Sequence, residues 1–344
     1  MALPLRKIMP PEQTYEGGIT KAMRLPTRDD VHEAYHRIGK RVVHTPLVYS
    51  EELSRLSGAH IHLKLETLQH TGAFKYRGAL NFVGYHAAER RGVVAASSGN
   101  HALGIALACQ KHGLEATVVM PSTAPAVKQA KARAYGAHVI CHGEVYDEAR
   151  EHAQSLAAQR NLLFAPSFDH FLIIAGQGTI GCELKEQIPQ SDMVLVPVGG
   201  GGLMAGLMLA LPDHMRLWGV QAQGAASMVA SLKAQKLVSL THADTIADGI
   251  ATLRPGAANL WVIQSYAGNV LAVSDADIRR AMAFLLGAGI VAEPAAAAPL
   301  AAVLNEGVAA KGKTVVLVIT GRNISGSLLE ETAKSWASQP YDPT

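Results

Sequence analysis

A chain of 344 residues leaves room for two domains of roughly 150 residues each, and 49% hydrophobic against 17% charged residues supplies the material for large buried cores. That balance excludes wholesale disorder. A formal charge of +3, from 31 Lys+Arg against 28 Asp+Glu with no dense basic cluster, argues against nucleic acid as a partner.

The first 26 residues or so read as irregular, and MALPLRKIMPPEQ lacks the apolar h-region of a signal peptide. Arg28-Asp29-Asp30 opens an amphipathic helix that runs towards Gly39. Pro46 follows, then a polar helix around Ser50 to Leu56, and Ile61 to Glu66 alternates as a strand does. From there a short apolar run, a turn and a long helical pattern repeat. Val93 to Ala96 is a strand, followed by an alanine-rich helix to about His112. Ala116 to Met120 is a strand closed by Pro121, and Lys128 to Tyr135 is a helix capped by Gly136. His138 to Cys141 is a strand and Tyr146 to Gln159 a helix.

The uncharged stretch Met193 to Leu211 is long enough to raise the question of a membrane span. Pro197 and Gly199 to Gly202 would leave backbone groups unpaired in lipid, so it reads as strand, loop and helix inside a core, and no membrane is expected. Leu217 to Gln221 and Thr314 to Ile319 are further strands, and Ala292 to Ala302 is a buried helix started by Glu293-Pro294. Fully apolar strands alternating with helices predict parallel sheets covered on both faces. Cys109, Cys141 and Cys182 form no CxxC pair, which fits neither a disulfide framework nor a zinc site and suits a reducing cytoplasm.

In open α/β sheets ligands sit beyond the carboxyl ends of the strands. Four segments occupy such places: Thr71 to Gly78, Ser97 to His101, Gly199 to Leu203 and Thr320 to Asn323. A glycine run gathers backbone N–H groups at one point, and the helix behind it adds positive charge, which makes a phosphate cradle. It is neither Walker A nor GxGxxG; the bland alternative is a tight strand-to-helix turn. Lys75 lies between Phe74 and Tyr76, with Arg77 the other local charge. A lysine so held loses its proton and becomes a nucleophile for a carbonyl; the bland alternative is an ordinary surface lysine. Ser97 to Asn100 also read as a helix cap, whose N-terminus suits a substrate carboxylate. The His101 ring reads as structural.

In this order, [ST]-G-x-F-K-x-R-G, S-S-G-N-H, G-G-G-G-L and a small hydroxyl residue after the last strand resemble the fold-type II pyridoxal-phosphate (PLP) enzymes. Within that group the chain looks most like the serine/threonine dehydratase and serine racemase family, from about Asp30 to about Ser327. The resemblance implies a two-lobed α/β fold like the tryptophan synthase β chain, each lobe a mostly parallel sheet flanked by helices. Residues 1–91 and 170–344 are expected to form a large PLP-binding domain and residues 92–169 a small domain. Lys75 matches the lysine that bonds covalently to the cofactor and works as the base at the substrate's Cα, with Phe74 beside it. Gly199, Gly200, Gly201, Gly202 and Leu203 match the phosphate loop, Asn100 the partner of the phenolic oxygen, and Thr320 the residue facing the pyridine nitrogen. Ser97, Ser98, Gly99, Asn100 and His101 match the loop around the substrate carboxylate. Gly249, in Asp248-Gly249-Ile250-Ala251, matches a loop beside the substrate. Glu293 matches a glutamate near the cofactor, though a carboxylate also suits a helix start. Ser98 further matches the racemases' serine across the cofactor from Lys75.

The expected activity is β-elimination of water from a 2-amino-3-hydroxy acid such as L-threonine or L-serine, giving a 2-oxo acid and ammonia. 3-Hydroxyaspartate, phenylserine and hydroxyectoine-derived amino acids stay open as substrates. A hydroxyl at Thr320 does not hold a proton firmly on the pyridine nitrogen, which favours elimination over transamination. The alternative is a serine-type racemase, supported by Ser98; a non-catalytic PLP-binding or nucleotide-binding protein is opposed by the intact Lys75. Two departures stand out. The family's [SC]-G-G-N is Thr320-Gly321-Arg322-Asn323 here, so Arg322 either points outwards or meets an anionic substrate group. The racemases' cation site has no carboxylate in Gln221 to Ser227, so no metal is expected. No amino-acid-binding regulatory domain follows the last motif, so feedback inhibition of that kind is not expected. A cytoplasmic homodimer or homotetramer is implied by the resemblance.

Overall fold

The computed structural model describes residues 12–14, 20–22, 24–89 and 91–338. Most of the segment read as irregular lies outside them, as does most of MALPLRKIMPPEQ; inside it, Glu12–Thr14 pairs antiparallel with Thr20–Ala22. Six strands form one sheet, in the order Asn269–Val273, Arg216–Ala222, Met193–Pro197, Thr314–Ile319, His60–Leu65 and Leu47–Tyr49. All its neighbours are parallel except the last pair. Four parallel strands form a second sheet, in the order His138–Cys141, Glu115–Met120, Gly92–Ala96 and Leu163–Phe164. The chain is thus a mixed α/β protein with parallel sheets flanked by helices.

Burial explains why these strands are continuous apolar runs. Val315, Leu317 and Ile319 enter one core cluster while Val316 and Val318 enter another on the opposite face. Met193 and Leu195 alternate with Val194 and Val196 in the same way. In the smaller sheet Val93 and Ala95 part from Val94 and Ala96. A strand covered on both faces has no polar side to alternate with. Each leucine so buried contributes about 2–5 kcal/mol, by the cost of cutting it to alanine.

Helix starts follow local chemistry. Arg28–Ile38 opens on a capping box, with Thr27 Oγ1 accepting from Asp30 N at 3.2 Å and Asp30 accepting from Thr27 N at 2.8 Å. Pro294–Leu304 has Pro294 at its first position, where a missing N–H costs nothing, and its alanines are buried as expected. Among the described residues no helix is long and apolar enough to cross a membrane.

The helices Lys75–His86 and Phe171–Gln187 have no counterpart in the sequence reading. Phe171–Gln187 is buried without interruption from Leu172 to Leu184, so it shows no amphipathic period. A Cβ added at Gly176 would lie 2.6 Å from Gly78 Cα, and one at Gly178 would lie 2.6 Å from Gly206 O. This helix therefore meets Lys75–His86 on one flank and Gly202–Ala210 on the other, backbone against backbone. Beneath Lys75–His86 lies a fully buried cluster of charges. Arg77 donates to Glu66 through Nε and Nη2, both at 2.8 Å, and to Glu183 at 2.6 Å. Lys64 Nζ donates to Glu183 at 2.5 Å and to Gln187 Oε1 and Thr45 O, both at 2.8 Å.

Candidate active site

Lys75 is the first residue of a helix, and not part of a loop. Phe74 precedes it without a capping side chain, so the sequence carries no start signal there. Long-range backbone pairing supplies the anchor instead. Phe74 N donates to Thr320 O at 3.0 Å, Arg322 N donates to Gly72 O at 2.9 Å, and Ala73 bridges Gly321. Two of the four motifs are thereby sewn together. Lys75 Nζ donates to Ser167 O at 3.0 Å. The side chain is half-buried at the cavity wall; desolvation lowers its pKa to about 8, with Glu293 pulling the other way.

Ser97 to His101 turn from the strand Gly92–Ala96 into the helix Asn100–His112. The N-cap is Gly99, with no side-chain cap, so neither serine nor Asn100 caps the helix as expected. Ser97 Oγ accepts from Gly99 N at 3.2 Å. The uncapped first turn leaves N–H groups for an anion. His101 is buried, and its Nε2–H donates to Ala165 O at 3.2 Å. Burial lowers its pKa to about 3, with the charge of Lys75 acting in the same direction, so the ring is neutral where it lines the cavity.

Asn100 Nδ2 donates to both oxygens of Glu293, at 2.8 and 3.1 Å. Asn323 closes the triad: its Nδ2 donates to Asn100 Oδ1 at 2.7 Å and its backbone N to Glu293 Oε2 at 3.2 Å. Burial raises Glu293 to about 7, Asp248 adding to the rise and the bonds from Asn100 and Asn323 opposing it. Glu293 is therefore titratable at neutral pH.

Gly199 to Gly202 join the strand Met193–Pro197 to the helix Gly202–Ala210. Gly201 has φ +96°, a left-handed backbone that glycine adopts without strain. A Cβ at Gly200 would collide with the Phe168 ring, so the loop stays bare of side chains. Thr320 is buried at the end of its strand. Gly249 sits on an exposed turn whose neighbour Asp248 accepts from Lys128 Nζ at 2.8 Å across the cavity mouth.

Phe74, Lys75, Ser97, Ser98, Gly99, Asn100, His101, Gly199, Gly200, Gly201, Gly202, Leu203, Gly249, Glu293 and Thr320 all line one cavity of about 900 Å³. Arg322 does not: it is exposed and packs against Gly72, the outward one of its two expected positions. Gln221 is buried, its Oε1 accepting from Met228 N at 2.9 Å and Val229 N at 3.0 Å. Sequence reasoning missed Ser167, Phe168 and Asn259, which touch the site only through long-range contacts, and gave Asn323 no role although it ends a quoted motif.

Residues 38–321 match the family model described as pyridoxal-phosphate dependent enzyme. A curated L-threonine ammonia-lyase of Thermotoga maritima is 43% identical over 311 residues, covering 88% of this chain and 77% of that protein. Among solved structures, the threonine deaminase of T.th. is 38% identical with a TM-score of 0.84, covering 87% of this chain and 99% of that one. A maize serine racemase has a TM-score of 0.86 at 30% identity, covering 91% of this chain and 98% of that one.

Proposed function

This chain belongs to the pyridoxal-phosphate-dependent enzymes and is a PLP-dependent dehydratase of the serine/threonine ammonia-lyase family, and from that premise we propose that it converts L-threonine to 2-oxobutanoate and ammonia, with L-serine a second substrate. The observation that carries this reading is the single cavity in which Lys75, the bare glycine loop, Asn100, Glu293 and Thr320 converge.

The residues present fit the cofactor. The loop at Gly199 to Gly202 offers backbone N–H groups where a side chain would intrude, and a lysine lowered to about 8 has a usable fraction of neutral amine at neutral pH. When bound, PLP supplies an aldehyde that condenses with amino groups and a ring that takes up the electron pair released at Cα. Lys75 would hold it through Nζ and, once the substrate's amine has taken that place, would move the proton at the substrate's Cα. Gly199 to Leu203 would hold the phosphate, Asn100 the phenolic oxygen, and the Thr320 hydroxyl the pyridine nitrogen. Ser97, Ser98, Gly99 and the N-terminus of Asn100–His112 hold the carboxylate. With the amine and carboxylate engaged, the β-hydroxyl would depart as water with the proton that Lys75 has taken from Cα, and the released enamine would take up water to give the 2-oxo acid and ammonia. Elimination outranks racemisation because the lyase is the nearer relative by sequence identity, 43% against 30% for the racemase.

The large domain of residues 1–91 and 170–344 and the small domain of 92–169 are supported by their sheets, each of which lies wholly within one of them. A homodimer or homotetramer in a reducing cytoplasm completes the reading; its free thiols, two of them buried, suit that compartment. The test is a panel of L-threonine, L-serine, 3-hydroxyaspartate and phenylserine assayed for 2-oxo acid and ammonia, with chiral analysis of recovered substrate. L-Threonine should give the highest kcat/KM. A PLP-loaded protein that forms no 2-oxo acid from any of them overturns the assignment.

A further inference from the structure

The glycine loop is braced from behind by a residue outside every motif. Gly200 O accepts from Gly256 N at 3.0 Å and from Asn259 Nδ2 at 2.8 Å. Asn259 is fully buried and does not line the cavity, whereas Gly200 and Gly201 do. In a planar trans peptide the C=O and the following N–H point in opposite directions. A Gly200 carbonyl pulled inwards by two donors therefore turns the Gly201 N–H outwards, into the cavity.

The brace extends further. Asn259 Nδ2 also donates to Phe168 O at 3.3 Å, and the Phe168 ring packs where a Gly200 side chain would be. Asp169 accepts from Ala257 N at 2.8 Å and Ala258 N at 3.1 Å, fixing the start of the helix Ala257–Ser265 that carries Asn259. Ser167 O meets Lys75 Nζ. Three consecutive residues thus touch the lysine, the glycine loop and the helix behind it. Asn259 Oδ1 is buried with no hydrogen-bond partner. Leaving an acceptor unsatisfied is costly, so an asparagine at this position is accounted for by its two donations and not by packing.

We propose that Asn259 is a positioning residue for the cofactor phosphate: its amide holds the Gly200 carbonyl so that the Gly201 N–H faces the cavity as a phosphate donor. The proposal rests on the PLP reading above, and its test separates the two. Apo protein carrying Asn259→Asp, which keeps the size and removes both donors, is titrated with PLP and with pyridoxal, which lacks the phosphate. The readout is the visible absorbance of the Lys75-bound chromophore. PLP affinity should fall about tenfold or more while pyridoxal affinity stays within about twofold of wild type. Equal losses for both ligands, or an unchanged ratio, overturn the proposal. Asn259→Ala carries the same readout should Asn259→Asp not fold. Wild-type protein that binds neither ligand sinks the PLP reading instead.

Discussion

Burial lowers the ammonium pKa of both Lys64, which is fully buried, and Lys75, which is half-buried at the cavity wall. Their surroundings differ in one respect. Lys64 places its three donors on Glu183, Gln187 and Thr45, and the cluster around it pairs Arg77 with two carboxylates. Lys75 has one neutral carbonyl, Ser167 O. In its cavity Glu293 is held by the amides of Asn100 and Asn323 in place of a cation. Burial among counter-charges keeps the cluster of Lys64 and Arg77 paired with Glu66 and Glu183, whereas burial without a counter-ion brings Lys75 to about 8 and Glu293 to about 7, close to neutrality. The first region sets geometry and the second is left free to exchange protons.

The contrast can be broken in graded ways. Lys75→Ala should lower turnover by at least about a thousandfold and abolish the visible absorbance gained on adding PLP; retained activity would end its assignment. Arg77→Met strands Glu66 and Glu183 and should cost about 3–5 kcal/mol in urea unfolding. Full stability in that variant would mean the cluster is not what holds the lysine helix down. Glu293→Gln sharpens the opposite side. A carboxyl raised from 4.5 to about 7 in the folded state contributes stability that is complete below about pH 4.5 and is lost as pH rises through about 7. The apo wild type should therefore lose up to about 3 kcal/mol relative to Glu293→Gln over that window, and a flat difference would show Glu293 ionising normally. Lys75, depressed from 10.5 to about 8, runs the other way, its stabilising contribution being lost as pH falls through about 8. Arg322→Gly restores the second glycine of the family motif at an exposed position outside the cavity and should leave kcat/KM within about twofold.

Much of this arrangement was legible in the linear chain, and what was not has a common physical cause. The strands Met193–Pro197 and Thr314–Ile319 announce themselves because both their faces are buried. Lys75, Ser97 to His101, the glycine loop and Thr320 were legible because their segments follow strands, where an open α/β sheet admits ligands, whereas Gly249 and Glu293 were reached only through the family resemblance. The helix Phe171–Gln187 was missed for the reason the strands were found: total burial leaves no polar stripe, and Gly176, Gly178 and Gly181 look like breakers. The helical start at Lys75 was missed because its anchor is Thr320 O, far along the chain. Asn259 and the residues from Ser167 to Asp169 were beyond reach, since nothing local distinguishes an asparagine that holds a distant carbonyl from any other.

The glycine contacts along Phe171–Gln187 bear on how such an enzyme can be redesigned. At Gly176 that helix meets Gly78 of the lysine helix backbone to backbone, with Gln177 Oε1 accepting from Gly78 N, and at Gly178 it meets Gly206 of the helix behind the glycine loop. The span between Lys75 and the glycine loop is therefore set largely by peptide backbone, and library mutagenesis has little volume there to trade. The part of the cavity wall formed by Lys128, Val145, Tyr146, Arg150, Leu240 and Leu253, by contrast, is made of exposed or half-buried side chains. Changes in substrate range are to be sought on that wall, over a catalytic floor that repacking does not shift.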